Sequence, residues 1–221
     1  MSPVRAVLLA CVVGLAITGG ALADHQDPQK RIAPADQSRA RAMLLKQSDF
    51  VPGFKRDPAS NEPDPHVDCP RSVSEADLTL TGDVDGHAFA RGVVSVQSIA
   101  QMYESVADAS ASWRRGTSAA GVDCARGVLR REFAKKQVQL VSLRKVAFPR
   151  VGQRTIAYRV VLSAKQGQLT FRFYLDLVVV MHSRAHAQVI AGSAFRPFPK
   201  AEAVRLARIV GGRMARAMRG G

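Results

Sequence analysis

Thr170 to Met181 reads TFRFYLDLVVVM. Phe171, Phe173, Leu175, Leu177, Val179 and Met181 alternate with Thr170, Arg172, Tyr174, Asp176, Val178 and Val180. A period of two is the mark of a strand with one buried face, because successive side chains leave the backbone on opposite sides. The first set, Phe171 to Val179, is therefore expected to be the most buried in the protein. Just upstream, Ile156, Tyr158, Val160 and Leu162 alternate in the same way with Ala157, Arg159, Val161 and Ser163. Gln166-Gly167 and Ser183-Arg184 read as the turns, Val138 to Val146 as a preceding strand and Ala187 to Ala194 as the returning one. Together these runs predict an antiparallel meander of four strands.

Outward from the meander, Lys200 to Met218 reads as a closing helix with Val204, Ala207, Val210 and Met214 on one face. In the first half, a helix is expected from Pro34, with Pro in its first turn and Ala40, Met43 and Leu44 on one side. Asp57 to Pro70 holds four prolines and reads as an extended loop. Leu78 to Thr81 and Ala88 to Ala100 read as strands about a Gly82-Asp83-Val84-Asp85-Gly86 turn, Val106 to Thr117 as a short helix, and the stretch through Cys124, Val128 and Phe133 as another. The expected fold class is α+β: a single domain with a twisted antiparallel sheet and helices packed on one face.

The N-terminus has the order of a signal peptide. Arg5 is followed by the apolar run Ala6 to Ile17 and by Ala21-Leu22-Ala23, a small-x-small cleavage pattern. Cleavage after Ala23 is expected, with residues 24–33 a flexible lead-in, residues 34–219 the domain, and the protein secreted, outside the cytoplasm and without a membrane span once cut. The rivals are an uncleaved anchor, for which the apolar run is short, and a lipid on Cys11, which would have to interrupt that run. Cys69 and Cys124 remain. In an oxidising compartment they most simply pair, closing a loop worth about 4 kcal/mol on the chain-entropy account; two separate thiols are the alternative.

Charge divides the chain unevenly. Asp24 to Glu132 carries 14 Lys and Arg against 16 Asp and Glu, whereas Phe133 to Gly221 carries 17 against two, Asp176 and Glu202. Such asymmetry suggests a surface that meets polyanions, here anionic lipid or cell-wall polymer in preference to nucleic acid. The competing reading is compositional: Arg outnumbers Lys 24 to 8, and a basic surface also favours solubility.

The order of elements resembles a known family. A helix closing on Asp49 to Phe54 (DFVPGF), a Pro-rich loop to Cys69, a G-D-x-D-G turn, a helix to Cys124, a meander and a terminal Arg/Ala-rich helix resemble the PknH-like extracellular sensor domains of actinobacteria, over Pro34 to Arg216. The resemblance implies an α+β fold with a cleft for a ligand, and brings no catalytic residues with it.

No catalytic or cofactor motif is recognisable, and no cofactor or metal is expected. His182 and His186 flank a turn without the Glu of a zinc helix. Asp83, Asp85 and His87 lack the twelfth-position acid of a calcium loop, and Asp64, His66 and Asp68 form a loose cluster beside Cys69. Ser193 lacks the second Gly of a nucleophile elbow. Trp113 reads as a core anchor. Two basic features are candidate ligand sites, since guanidinium suits phosphate and carboxylate. One is the helix stripe Arg205, Arg208, Arg216 and Arg219. The other is Arg159, Arg172 and Tyr174, on the less apolar sheet face with Asp176. The expected function is a non-catalytic exported module that binds an anionic or amphiphilic envelope ligand. The alternatives are a hydrolase of envelope material and a structural envelope protein.

Overall fold

In the computed structural model, residues 28–57 and 69–219 are described. The expected signal peptide and the Asp64, His66 and Asp68 cluster lie outside them. The strands are β1 (Gln29–Lys30), β2 (Lys55–Asp57), β3 (Thr79–Asp85), β4 (Ala88–Arg91), β5 (Val94–Tyr103), β6 (Val138–Lys145), β7 (Arg154–Gln166), β8 (Leu169–His182) and β9 (Ala185–Ala194). The helices are α1 (Pro34–Met43), α2 (Val106–Thr117), α3 (Ala119–Lys135) and α4 (Lys200–Arg219). All nine strands join one sheet in the order β1-β3-β5-β9-β8-β7-β6, with β4 also on β5 and β2 on β4.

The meander is present as β6-β7-β8-β9, each pair antiparallel. The α+β class holds, with three corrections. The sheet is mixed, because β1 runs parallel to β3; the end of the expected lead-in is thus a paired strand. The G-D-V-D segment is strand, and the chain turns at Gly86-His87 instead. Strand geometry survives there because glycine lets α1 lie on β3: a Cβ on Gly82 would come within 2.7 Å of the Asp36 carbonyl oxygen. A further turn at Gly92, in the left-handed region at φ +62°, splits the expected 88–100 strand into β4 and β5.

The third correction is the largest: helices cover both faces. Val178 and Val180 of β8 pack with Val96, Ala100 and Val189 against α1 and α4, burying Ala40, Met43, Leu206, Val210 and Met214. Phe173 and Leu175 of the same strand point the other way, onto Leu129 and Phe133 of α3. Leu80, Tyr103 and Met181 continue that second face under Ala109 of α2. Hence the expected most-buried set is only half right. Phe173 and Leu175 are buried, but Phe171, Leu177 and Val179 are partly exposed, while Val178 and Val180 of the supposed outer face are fully covered. With apolar residues on both sides of β8 from Leu177 onward, alternation no longer marks one face as inner.

Two polar ties lock the layers. Arg184, in the β8–β9 turn, donates to both carboxylate oxygens of Asp36 at 2.7 Å, and Thr81 Oγ1 donates to the same carboxylate at 2.6 Å. Arg213 of α4 donates to both oxygens of Asp49 at 2.6 and 2.8 Å and to the Leu44 carbonyl, fixing α4 to the turn after α1.

Candidate functional site

The site follows from the path of the chain. β5 ends mid-sheet at Tyr103, and the next strand, β6, is at the far edge. Helices α2 and α3 must carry the chain across β9, β8 and β7. They meet at Ser118, which ends α2 and caps α3, its Oγ accepting from the Gly121 N–H at 3.0 Å. Cys124 of α3 is bonded to Cys69, with Cα atoms 5.6 Å apart, and Val73 and Val128 pack around the link.

Beneath this corner the helices do not reach the sheet, and a cavity of about 120 Å³ remains. Its walls are mainly apolar: Trp113, Val122, Ala125 and Leu129 from the helices, and Leu143, Ile156, Val160, Leu177 and Val179 from the sheet. Its polar lining comes from Glu75, Gln101, Ser112, Thr117, Tyr158, His186 and Gln188. The cavity is partly open to solvent, and its apolar walls leave room for a guest of about benzene size.

The electrostatics at the polar side are set by burial. Tyr103 Oη and Ser112 Oγ share a hydrogen bond of 2.7 Å, and Tyr103 also donates to Glu75 Oε2 at 3.5 Å. Burial, then the Glu75 charge, push the Tyr103 hydroxyl well above its ordinary pKa. His186 lies between the rings of Tyr103 and Trp113, with edge contacts at 4.9 and 6.0 Å. Burial lowers its pKa to about 4, helped by the positive charge of Arg154 and opposed by a backbone hydrogen bond to Ala109. The imidazole is therefore neutral at physiological pH.

A second hollow, of about 230 Å³, opens on the other face between the β6–β7 connection and the start of α4. Phe148 and Phe198 flank it, and Arg159 and Asp176 both line it. These two are cross-strand partners joined at 2.6 Å. Of the expected sheet-face set, Arg159 and Asp176 are thus brought together; Tyr174, half-buried, and Arg172, exposed, lie further along β8, the strand of Asp176, and do not line the hollow.

The helix stripe divides. Arg208, Arg216 and Arg219 are exposed. Arg205, expected to be exposed with them, is partly buried, donating to Glu202 at 2.6 and 2.8 Å and to the Asp49 carbonyl at 2.6 Å. Trp113 is half-buried: it packs against the Leu80, Tyr103 and Ala109 cluster, as expected of a core residue, and also walls the cavity. Ser193 Oγ donates to the Arg196 carbonyl at 2.7 Å. Asp83 pairs with Lys30 at 2.7 Å, and His87 meets Arg56.

No family model matches the chain, and no curated protein does. Among solved structures, the chain is similar to an uncharacterised protein of Mycobacterium smegmatis, an Rv0999 ortholog, with 16% identity and a TM-score of 0.42 over 83% of this chain and 98% of that one.

The cavity itself was beyond sequence reading. Its lining residues come from seven separate elements and the loop at Glu75, and only the crossover from β5 to β6 brings them together. One signal was available: His186 and Gln188 are polar residues at alternate positions in the otherwise small and apolar run Ala185 to Ala194.

Proposed function

We propose that this protein is an exported, non-catalytic binding module for a small amphiphilic envelope ligand, held with its apolar part in the cavity under the α2–α3 corner. The cavity is the observation that carries this reading: an apolar void with polar groups on one side is the usual form of a small-molecule site. The resemblance to PknH-like sensor domains, which implies a ligand cleft, agrees with it. So does export, which the Ala6–Ala23 pattern and the Cys69–Cys124 bond both favour. Among the described residues no helix is long and apolar enough to cross a membrane. The residues that line the cavity include no Lys or Arg, so an anionic head is better served elsewhere.

The test uses Trp113, the single tryptophan of the chain. Material purified from its own host, analysed by native mass spectrometry before and after delipidation, should lose a small bound amphiphile. Refilling the protein should change Trp113 fluorescence saturably. No bound molecule and no saturable response to short-chain amphiphiles would refute the reading.

A second reading is favoured by one observation, the exposure of Arg208, Arg216 and Arg219 on α4. These charges would hold the protein on anionic lipid or wall polymer. Replacing all three with Gln should then weaken binding to anionic vesicles at low salt, since screening at physiological strength acts over about 8 Å. Unchanged binding would leave the three as a solvated helix face.

A further inference from the structure

His186 stands on β9 with 5% of its surface exposed, and it lines the cavity. Its Nε2 is the only buried side-chain nitrogen or oxygen among the described residues that has no hydrogen-bond partner. The Ala109 backbone favours a proton on this ring. With its one proton on Nδ1, the neutral ring presents a bare lone pair at Nε2. Buried acceptors are almost always satisfied, and one left open calls for an explanation.

The neighbouring groups do not supply it. The Ser112 and Tyr103 hydroxyls are joined to each other, and Tyr103 also faces Glu75. Gln101 Nε2 donates to Asp83 Oδ1 at 3.3 Å. Among these groups His186 Nε2 offers a guest an acceptor, near the negative charge of Glu75; Thr117, Tyr158 and Gln188 complete the polar lining. A carboxylate or phosphate head would meet that charge with no cation in the lining to offset it. A purely apolar guest would leave Nε2 unsatisfied.

We infer that the cavity selects ligands with an apolar body ending in an uncharged hydrogen-bond donor, an alcohol or phenol, whose hydroxyl donates to His186 Nε2. This rests on the cavity being a ligand site, and the experiment separates the two claims. Phenol and toluene have nearly the same size and differ in the donor. Each is titrated into the full protein and into His186→Leu, with binding followed calorimetrically and placed by ligand contacts to the Trp113 indole in NMR spectra. Both compounds should bind at Trp113. The affinity of phenol relative to toluene should fall about tenfold in His186→Leu, equivalent to about 1.4 kcal/mol. In the unsubstituted protein, phenol but not toluene should shift the ¹⁵N resonance of His186 Nε2, a readout that stands if the variant does not fold. Binding of both with an unchanged ratio, or phenol bound at Trp113 with Nε2 unmoved, would overturn the donor rule and leave the cavity reading intact. No binding of either would overturn both.

Discussion

Val180 and Val179 are neighbours in β8 and face opposite helix layers. Val180 is fully buried against the α1–α4 side, and Val179 is a partly exposed wall of the cavity on the α2–α3 side. The difference comes from how the chain reaches each layer. On the first side α4 is twenty residues long and lies over β8 and β9 with Ala203, Leu206, Ala207, Val210 and Met214 turned inward. On the second, two helices broken at Ser118 must span the width of the sheet from β5 to β6. The continuous helix fills the core beneath its length and leaves a hollow only beside its start; the cornered crossover leaves its hollow under the helices themselves, and the polar residues Gln101, His186 and Gln188 are placed there.

The largest expected effect sharpens this contrast. Met214→Ala should cost about 4 kcal/mol, because it opens a void in a filled core, while Leu177→Ala should cost about 1–2 kcal/mol, because its side chain already borders one. Chemical denaturation of the two variants measures both, and equal losses would mean that the two faces are packed alike.

Next in size is the response to acid. His186 has its folded-state pKa lowered from 6.5 to about 4. Below pH 6.5 the unfolded chain takes up a proton that the folded protein refuses, so stability falls with pH from 6.5 until the folded pKa is passed. The linkage is worth about 3 kcal/mol at full extent. Asp36, held well below the usual carboxylate range by Arg184 hydrogen bonding, adds its loss only under its ordinary value of 3.8. Stability measured across pH 7 to 4 should therefore slope in the natural protein and flatten in His186→Leu. The same slope in both would place the linkage elsewhere.

These two faces also show what the sequence could and could not tell. The meander, α2 and α4 were legible because each is a local pattern: period two in Ile156 to Leu162 and Phe171 to Met181, and a helical stripe through Ala207, Val210 and Met214. The disulfide was legible from cysteine count and the expectation of export. The pairing of β5 with β9 was not, since it joins residues about ninety positions apart by backbone bonds that no side-chain pattern announces. Without that pairing, the second helix layer and its cavity could not be foreseen. The Arg stripe was read as a surface, and one member, Arg205, is instead tied to Glu202 and to the Asp49 carbonyl, partners that are three and 156 residues away.

Smaller effects sharpen the comparison further. Val180→Ala should cost about 2 kcal/mol and Val179→Ala about 1 kcal/mol or less, by the same cavity logic. Reversal of that order in thermal melts would mean the faces are misassigned. Ala125→Leu, which fills the void from α3, should leave stability level or raise it by about 0.5–1 kcal/mol and abolish the Trp113 response to ligands. A retained response would put the ligand elsewhere.

The central claim, that one face holds an apolar ligand cavity while the core of the other is filled, is met most directly by a crystal structure under xenon pressure. Xenon enters apolar voids without needing a hydrogen bond. The account predicts a xenon atom bounded by Trp113, Ile156, Val179 and His186, and none among Met43, Val180, Leu206 and Met214. Ordered water filling the α2–α3 cavity in place of xenon, or xenon lodged in the α1–α4 core, would contradict it.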